Sequence, residues 1–192
     1  MLHRPSIARS ALMGLLLVAT GAALATTDDE TRDWRRWLRM FPNIAPATQP
    51  AYLQECGSCH LAYPPGVLPA ASWNRILAPE SLADHYGDDA SLPDALVAEL
   101  RGYLMANAAD GSARVRERAF AVPGAAQSDT GLPRITETPY FIRKHHRIPA
   151  RLVTDNPEVG SFSQCNRCHI GADRGIFDER QIEIPGLGRW KD

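Results

Sequence analysis

Alternation of apolar and polar residues, the mark of a half-buried strand, is nearly missing from this chain: Glu179 to Ile184 offers one short run, and Pro185 stops it. That excludes a sandwich or barrel and leaves a mainly α fold with extensive loops. Also missing is any stretch of about 20 strongly apolar residues, the length a membrane span needs. The richest run, Leu12 to about Ala19, gives way to Gly21 and small residues. An excess of positive charge is missing too. Lys and Arg number 21 against 22 Asp and Glu, a formal charge of −1, which argues against nucleic acid as a partner. Cysteine is confined to four copies.

Proline is plentiful, with 15 copies, and points to many short elements joined by turns. His3, Arg4 and Arg9 precede an uncharged run from Ala11 to Ala25 ending Ala23-Leu24-Ala25, the pattern of a secretory leader cleaved after Ala25. Cleavage removes Arg4 and Arg9 and no acid, so 19 basic residues remain against 22 acidic, a charge of −3. Trp34, Trp37, Leu38 and Phe41 recur at helical spacing and predict a helix over 31–41, ended by Pro42. Tyr52 to His60 reads as a short helix running into the first cysteine pair. Trp73, Ile76 and Leu77 share one face of a helix after Pro69 that Pro79 closes, and Glu80 to Gly87 reads as one or two helical turns carrying His85. Ser91, Pro93 and Asp94 open a longer helix, with Leu96, Leu100, Tyr103 and Leu104 as its buried stripe and an end between Asn107 and Gly111. Residues 123–136 show no period and read as a linker. Thr138 and Pro139 cap and start a helix through Tyr140 and Phe141 to His145, and Asn156-Pro157 repeats that start signal before the second cysteine pair.

The cysteines fall as Cys56-Gly57-Ser58-Cys59-His60 and Cys165-Asn166-Arg167-Cys168-His169. In an exported chain four cysteines would ordinarily suggest two disulfides, but disulfides impose neither a two-residue gap nor an adjacent histidine. A zinc ribbon separates its pairs by about 15–20 residues, and here more than a hundred intervene. A thioredoxin-like pair needs a βαβ setting that the helical pattern does not supply. Covalent haem attachment needs two thiols for the two vinyl groups and an imidazole for the iron, and each motif supplies all three. Two haem c groups follow, with His60 and His169 as first iron ligands.

The sixth position decides what such an iron can do. Outside the leader only His85, His145 and His146 remain, with Met40 and Met105 as thioether alternatives better read as packing. His85 follows the first pair and suits the first haem. His145 lies four residues after Phe141 and is favoured over His146, since neighbours on a helix diverge by about 100°. A crossed assignment, with His145 on the first haem, stays open. Bis-histidine ligation at both haems would close both irons.

The residues Cys56 to His60 followed by Tyr63-Pro64-Pro65, then Trp73-Asn74-Arg75-Ile76, resemble the dihaem cytochromes c of bacterial periplasms. The most specific element is Leu82-Ala83-Asp84-His85-Tyr86-Gly87-Asp88-Asp89-Ala90-Ser91-Leu92, and Pro139 to His145 with Cys165 to His169 continue the likeness. Tyr140 stands where that family's pattern often has Trp. The resemblance implies an N-terminal class I cytochrome c-like haem domain and a less regular C-terminal haem domain, divided here as 26–122 and 123–192 after the 1–25 leader. It implies His85 for the first haem and His145 for the second. It also implies a periplasmic one-electron carrier rather than an enzyme, donating to a small monohaem cytochrome of the sphaeroides haem protein type, often beside a membrane cytochrome b. No small-molecule substrate is expected. The rivals are a dihaem peroxidase and a haem-based sensor, each of which needs an open iron. The exported protein is expected to begin at Thr26; N-terminal sequencing that finds Met1 retained would mean an uncleaved anchor instead.

Overall fold

The computed structural model describes residues 41–121 and 131–190. The leader, Met40 and all but Phe41 of the expected first helix lie outside them, as do residues 123–130 of the expected linker. The described chain is mainly helical and rich in loops. Its helices are α1 (Pro50–Glu55), α2 (Ala70–Ile76), α3 (Pro79–Ala83), α4 (Asp94–Ala106), α5 (Val115–Arg118), α6 (Pro139–His145) and α7 (Cys165–Cys168), with several single 3₁₀ turns between them.

Proline sets where these helices begin. Pro50, Pro79 and Pro139 sit in the first turn, where a missing N–H costs nothing. Pro79 therefore opens a helix rather than simply closing the one before. It forces Ala78 to an extended ψ of 142°, so α2 stops at Ile76 and the chain restarts as α3. Pro69 and Pro93 stand one position earlier than expected, at the caps. Ser91 is no cap: its N–H is held by the Asp89 carboxylate at 2.9 Å. Thr138 does cap α6, its hydroxyl accepting from Phe141 N–H at 3.3 Å.

Further expectations are corrected. The Tyr52–His60 helix ends at Glu55, because the chain doubles back so tightly that a Cβ on Gly57 would lie 2.2 Å from the Leu53 carbonyl oxygen. The short helix before His85 ends at Ala83, leaving His85 in a turn paired with Asp88. Asn156-Pro157 starts a turn and not a helix, since the Asn156 side chain accepts from Glu158 N–H at 3.0 Å and donates to the Pro185 carbonyl at 3.0 Å. Of the alternating run near the end, Glu179–Gln181 is a 3₁₀ turn. Glu183–Ile184 (β1) pairs antiparallel with Gly188–Arg189 (β2), Ile184 opposite Gly188.

The core forms where α4 crosses α1 and α2. Leu100 and Leu104 are fully buried among Tyr52, Trp73, Leu68 and Leu77, and Leu96, Tyr103 and Met105 pack around them. The same cluster runs on to Phe120 and Phe141. Residues 43–46 cross to the far end of the chain. Asn43 and Ile44 donate backbone bonds to Gly175 at 3.0 and 3.1 Å, Phe177 N–H reaches the Asn43 side chain, and Ala45 N–H is taken by the buried Glu117 carboxylate at 2.5 Å. Gly175, at φ 72°, leaves no room for a Cβ, which would fall 2.0 Å from the Ile44 carbonyl oxygen. Leu100→Ala is expected to lower unfolding stability by about 2–5 kcal/mol, read from urea denaturation.

Candidate haem sites

The loop after α1 carries Cys56, Cys59 and His60, and the core holds it by its return. Tyr52 donates its hydroxyl to the Tyr63 carbonyl at 2.8 Å, and the Trp73 indole N–H reaches the Pro65 carbonyl at 2.7 Å. The Tyr63 ring stacks on His60 with centroids 4.8 Å apart, and its hydroxyl donates to the Ser163 carbonyl at 2.7 Å. His60 Nδ1 lies 2.7 Å from the Leu61 carbonyl oxygen. Because a carbonyl only accepts, Nδ1 carries the proton and Nε2 keeps the lone pair a metal needs. Facing His60 is His85, its ring centroid 6.5 Å away and its plane tilted by only 20°.

The second pair lies on one helical turn, α7, with His169 just past its end and tied by its backbone to Ile182. His145, the last residue of α6, stacks on Phe141 (3.8 Å, 9°) and donates Nδ1–H to the Phe141 carbonyl at 2.9 Å. Its ring stands 6.2 Å from that of His169, at 73°. Phe162 meets His145 edge-on at 6.0 Å, and Phe177 lies 5.2 Å from His169. His146 is exposed and bonded to the Arg143 carbonyl. Of the two neighbours, His145 is therefore the one brought to His169, while His85 is brought to His60. Met105 packs on the core.

Both imidazole separations fit one metal atom. Two metal–nitrogen bonds of about 2.0–2.1 Å each put facing ring centroids about 6 Å apart. Burial, His60 and His145 each contribute to keeping the facing rings neutral, the form that ligates. Burial first, then His145 and Arg116, push His169 down to about 4. Burial and then His60 lower His85, against a raising effect from Asp88. Burial pushes the Cys56 and Cys165 thiols up to about 11 and raises Cys168. Among the described residues no three His, Cys, Asp or Glu side chains cluster as a metal cage.

A cavity of about 470 Å³ opens beside the second pair. Cys165, Cys168, His169 and His145 line it with Phe141 and Phe162, and most of the remaining wall is aliphatic or aromatic. A volume in the ordinary range for cofactor pockets, two thiols on one edge and two opposed imidazoles suit a flat macrocycle with a central metal. Arg116, Arg180 and Arg189 also line it, with Lys144 paired to Glu179, a net cationic contribution suited to an acidic cofactor edge. Sequence reasoning missed Phe177, Trp190 and Arg116, which carry no motif. Phe162, three residues before Cys165, had a faint signal in its spacing.

Such a fold and such paired sites define a c-type cytochrome with two haems. The pattern of the family of dihaem cytochromes c matches residues 52–177. The chain is similar to the solved diheme cytochrome type c from Shewanella baltica, at 45% identity over 74% of this chain and 97% of that one, with a TM-score of 0.60. It is also similar to a diheme cytochrome c from Rhodobacter sphaeroides, at 40% identity over 69% and 99%, with a TM-score of 0.56. A DHC purified from Rhodobacter sphaeroides follows at 37% identity over 69% and 99%, with a TM-score of 0.52. No curated protein matches. The chain belongs to the dihaem cytochrome c family, and its cofactors are two covalently attached haem c groups. His145→Ala is expected to turn one of the two haems high-spin in the visible spectrum, while His146→Ala leaves the spectrum of the parent; the reverse result would exchange the two residues.

Proposed function

We propose that this dihaem cytochrome is a one-electron carrier in which Cys56 and Cys59 tether the first haem and Cys165 and Cys168 the second. His60 and His85 would hold the iron of the first, and His169 and His145 that of the second. The observation that carries this reading is the pair of imidazole separations, 6.5 and 6.2 Å, each of a length that one metal atom would fill. When bound, the haems supply the one-electron iron chemistry.

The chain's own residues supply placement and insulation. The Leu61 and Phe141 carbonyls hold His60 and His145 in the tautomer that offers Nε2, as second-shell partners of metal-bound histidines do. Tyr63, Phe141, Phe162 and Phe177 pack the imidazoles and keep water off them. No residue is assigned an acid, base or nucleophile role, and no small-molecule substrate is proposed. One haem is assigned to each of the segments 26–122 and 123–192.

The 1–25 leader supports export to the periplasm, and among the described residues no helix is long and apolar enough to cross a membrane. The family likeness supports a small monohaem cytochrome of the sphaeroides haem protein type as acceptor and a membrane cytochrome b as a further partner. The mature charge of −3 suits partners with a basic face.

The test is a redox titration followed by absorption and low-temperature EPR, with carbon monoxide added to the reduced protein. Two low-spin haems and an unmoved Soret band are expected. The two ferric signals should differ, because nearly parallel imidazole planes (20°) give a rhombic signal and nearly perpendicular ones (73°) a strongly anisotropic one. A carbon monoxide adduct on the parent protein would mean an accessible iron, and with it a peroxidase or sensor.

A further inference from the structure

The turn that carries His85 adopts a conformation that disfavours the residue in it. His85 and Asp88 exchange backbone hydrogen bonds, 2.7 Å from His85 N–H to the Asp88 carbonyl and 3.3 Å in return. Between them, Tyr86 and Gly87 both have positive φ, 58° and 106°. This is the φ pattern of a type I′ turn, whose favoured central pair is Asn-Gly. Gly87 meets that demand without strain. Tyr86 does not, and among the described residues no other non-glycine has a positive φ. Asparagine would serve the backbone better, so whatever offsets the strain lies in the tyrosine side chain.

That side chain reaches three groups. Its hydroxyl donates to the Pro133 carbonyl, the Arg134 guanidinium lies 4.5 Å from the ring centroid, and the ring meets the His85 imidazole edge-on, 4.7 Å between centroids and 74° between planes. Arg134 is 3.6 Å from Glu137, in the 3₁₀ turn that leads into α6 and His145. His85 differs from His60 and His145 in what holds its ring. Those two are fixed by a carbonyl on Nδ1, whereas Nδ1 of His85 is buried with no hydrogen-bond partner among the described residues. Its orientation therefore rests on packing, and Tyr86 supplies that packing from the adjacent position.

We propose that Tyr86 is a positioning residue for His85, clamping the imidazole against residues 133–134 so that the first iron is held closed from the second half of the chain. The inference rests on His85 holding the first iron, as proposed above. Loss of the clamp lets the imidazole swing away from the metal without losing the turn, and both closure and potential of that one haem then change.

The haem-loaded parent is compared with Tyr86→Asn, which suits the turn and removes the ring, with Tyr86→Phe, which removes only the hydroxyl, and with Arg134→Ala. His85→Ala serves as the reference for an opened iron. In Tyr86→Asn one reduced haem is expected to take up carbon monoxide with a shifted Soret band, as in His85→Ala, while the parent takes up none. The rhombic EPR signal and one of the two potentials should move while the other haem is unchanged, with Tyr86→Phe and Arg134→Ala falling between. No carbon monoxide uptake, with parental EPR and potentials, in all three variants, alongside a His85→Ala that opens one iron, would overturn the positioning role. Should Tyr86→Asn not fold, the other two variants decide by the same readouts. A His85→Ala protein with both irons still closed would instead overturn the ligand assignment, and the clamp with it.

Discussion

Two pairs of facing imidazoles are held at set separations here with very little regular structure, and a metal shared by either pair would tolerate little error in them. His60 and His85 come from loops on either side of α2 and α3, and His169 and His145 from the ends of two helices of four and seven residues. None of these elements is long enough to be stable alone. Each ring is placed by contacts from elsewhere: Tyr63 on His60, Phe141 and Phe162 around His145, Phe177 beside His169. Tyr86, on His85, is the contact made under backbone strain, at about 1–2 kcal/mol for an L-residue in the left-handed region.

The two halves of the described chain depend on one another. Residues 43–46 pair with Gly175 and Phe177 beside the second site, the Tyr63 hydroxyl bonds the Ser163 carbonyl just before the second cysteine pair, and Pro133 and Arg134 close over the turn that follows His85. Glu117 ties these strands of contact together as a buried carboxylate. It accepts from Ala45 N–H and from the Ser112 hydroxyl, and it occupies the space that a side chain on Gly66 would need. Removing it would leave buried donors unpaired, which costs more than the bonds themselves contribute.

Much of the site was legible in local sequence because its chemistry is local. Cys-x-x-Cys-His puts two thiols and an imidazole within one turn, and the Thr138-Pro139 cap correctly set the start of the helix that ends at His145. Phe141 lies four residues before His145, so the ring stack and the carbonyl bond that favour His145 over His146 follow from helical geometry. The helix boundaries near proline were less legible. Pro79 marks both the end of one helix and the start of the next, and sequence alone does not say which side the break falls on. The Cys56–His60 loop read as helix because nothing in its residues announces that Gly57 lies against the Leu53 carbonyl.

By itself the sequence determined the covalent chemistry, the number of haems and the short list of histidines able to complete them, since these are properties of residue type and spacing along a few bonds. The tertiary structure alone decided which histidine faces which, how the two imidazole pairs are angled, and what packs behind each ring. Those depend on residues such as Trp190, Arg116 and Arg134, whose contacts lie far off in sequence and leave no periodic trace. The strain at Tyr86 belongs to the same class: its dihedral is local, but the Pro133 and Arg134 contacts that offset it come from about fifty residues away.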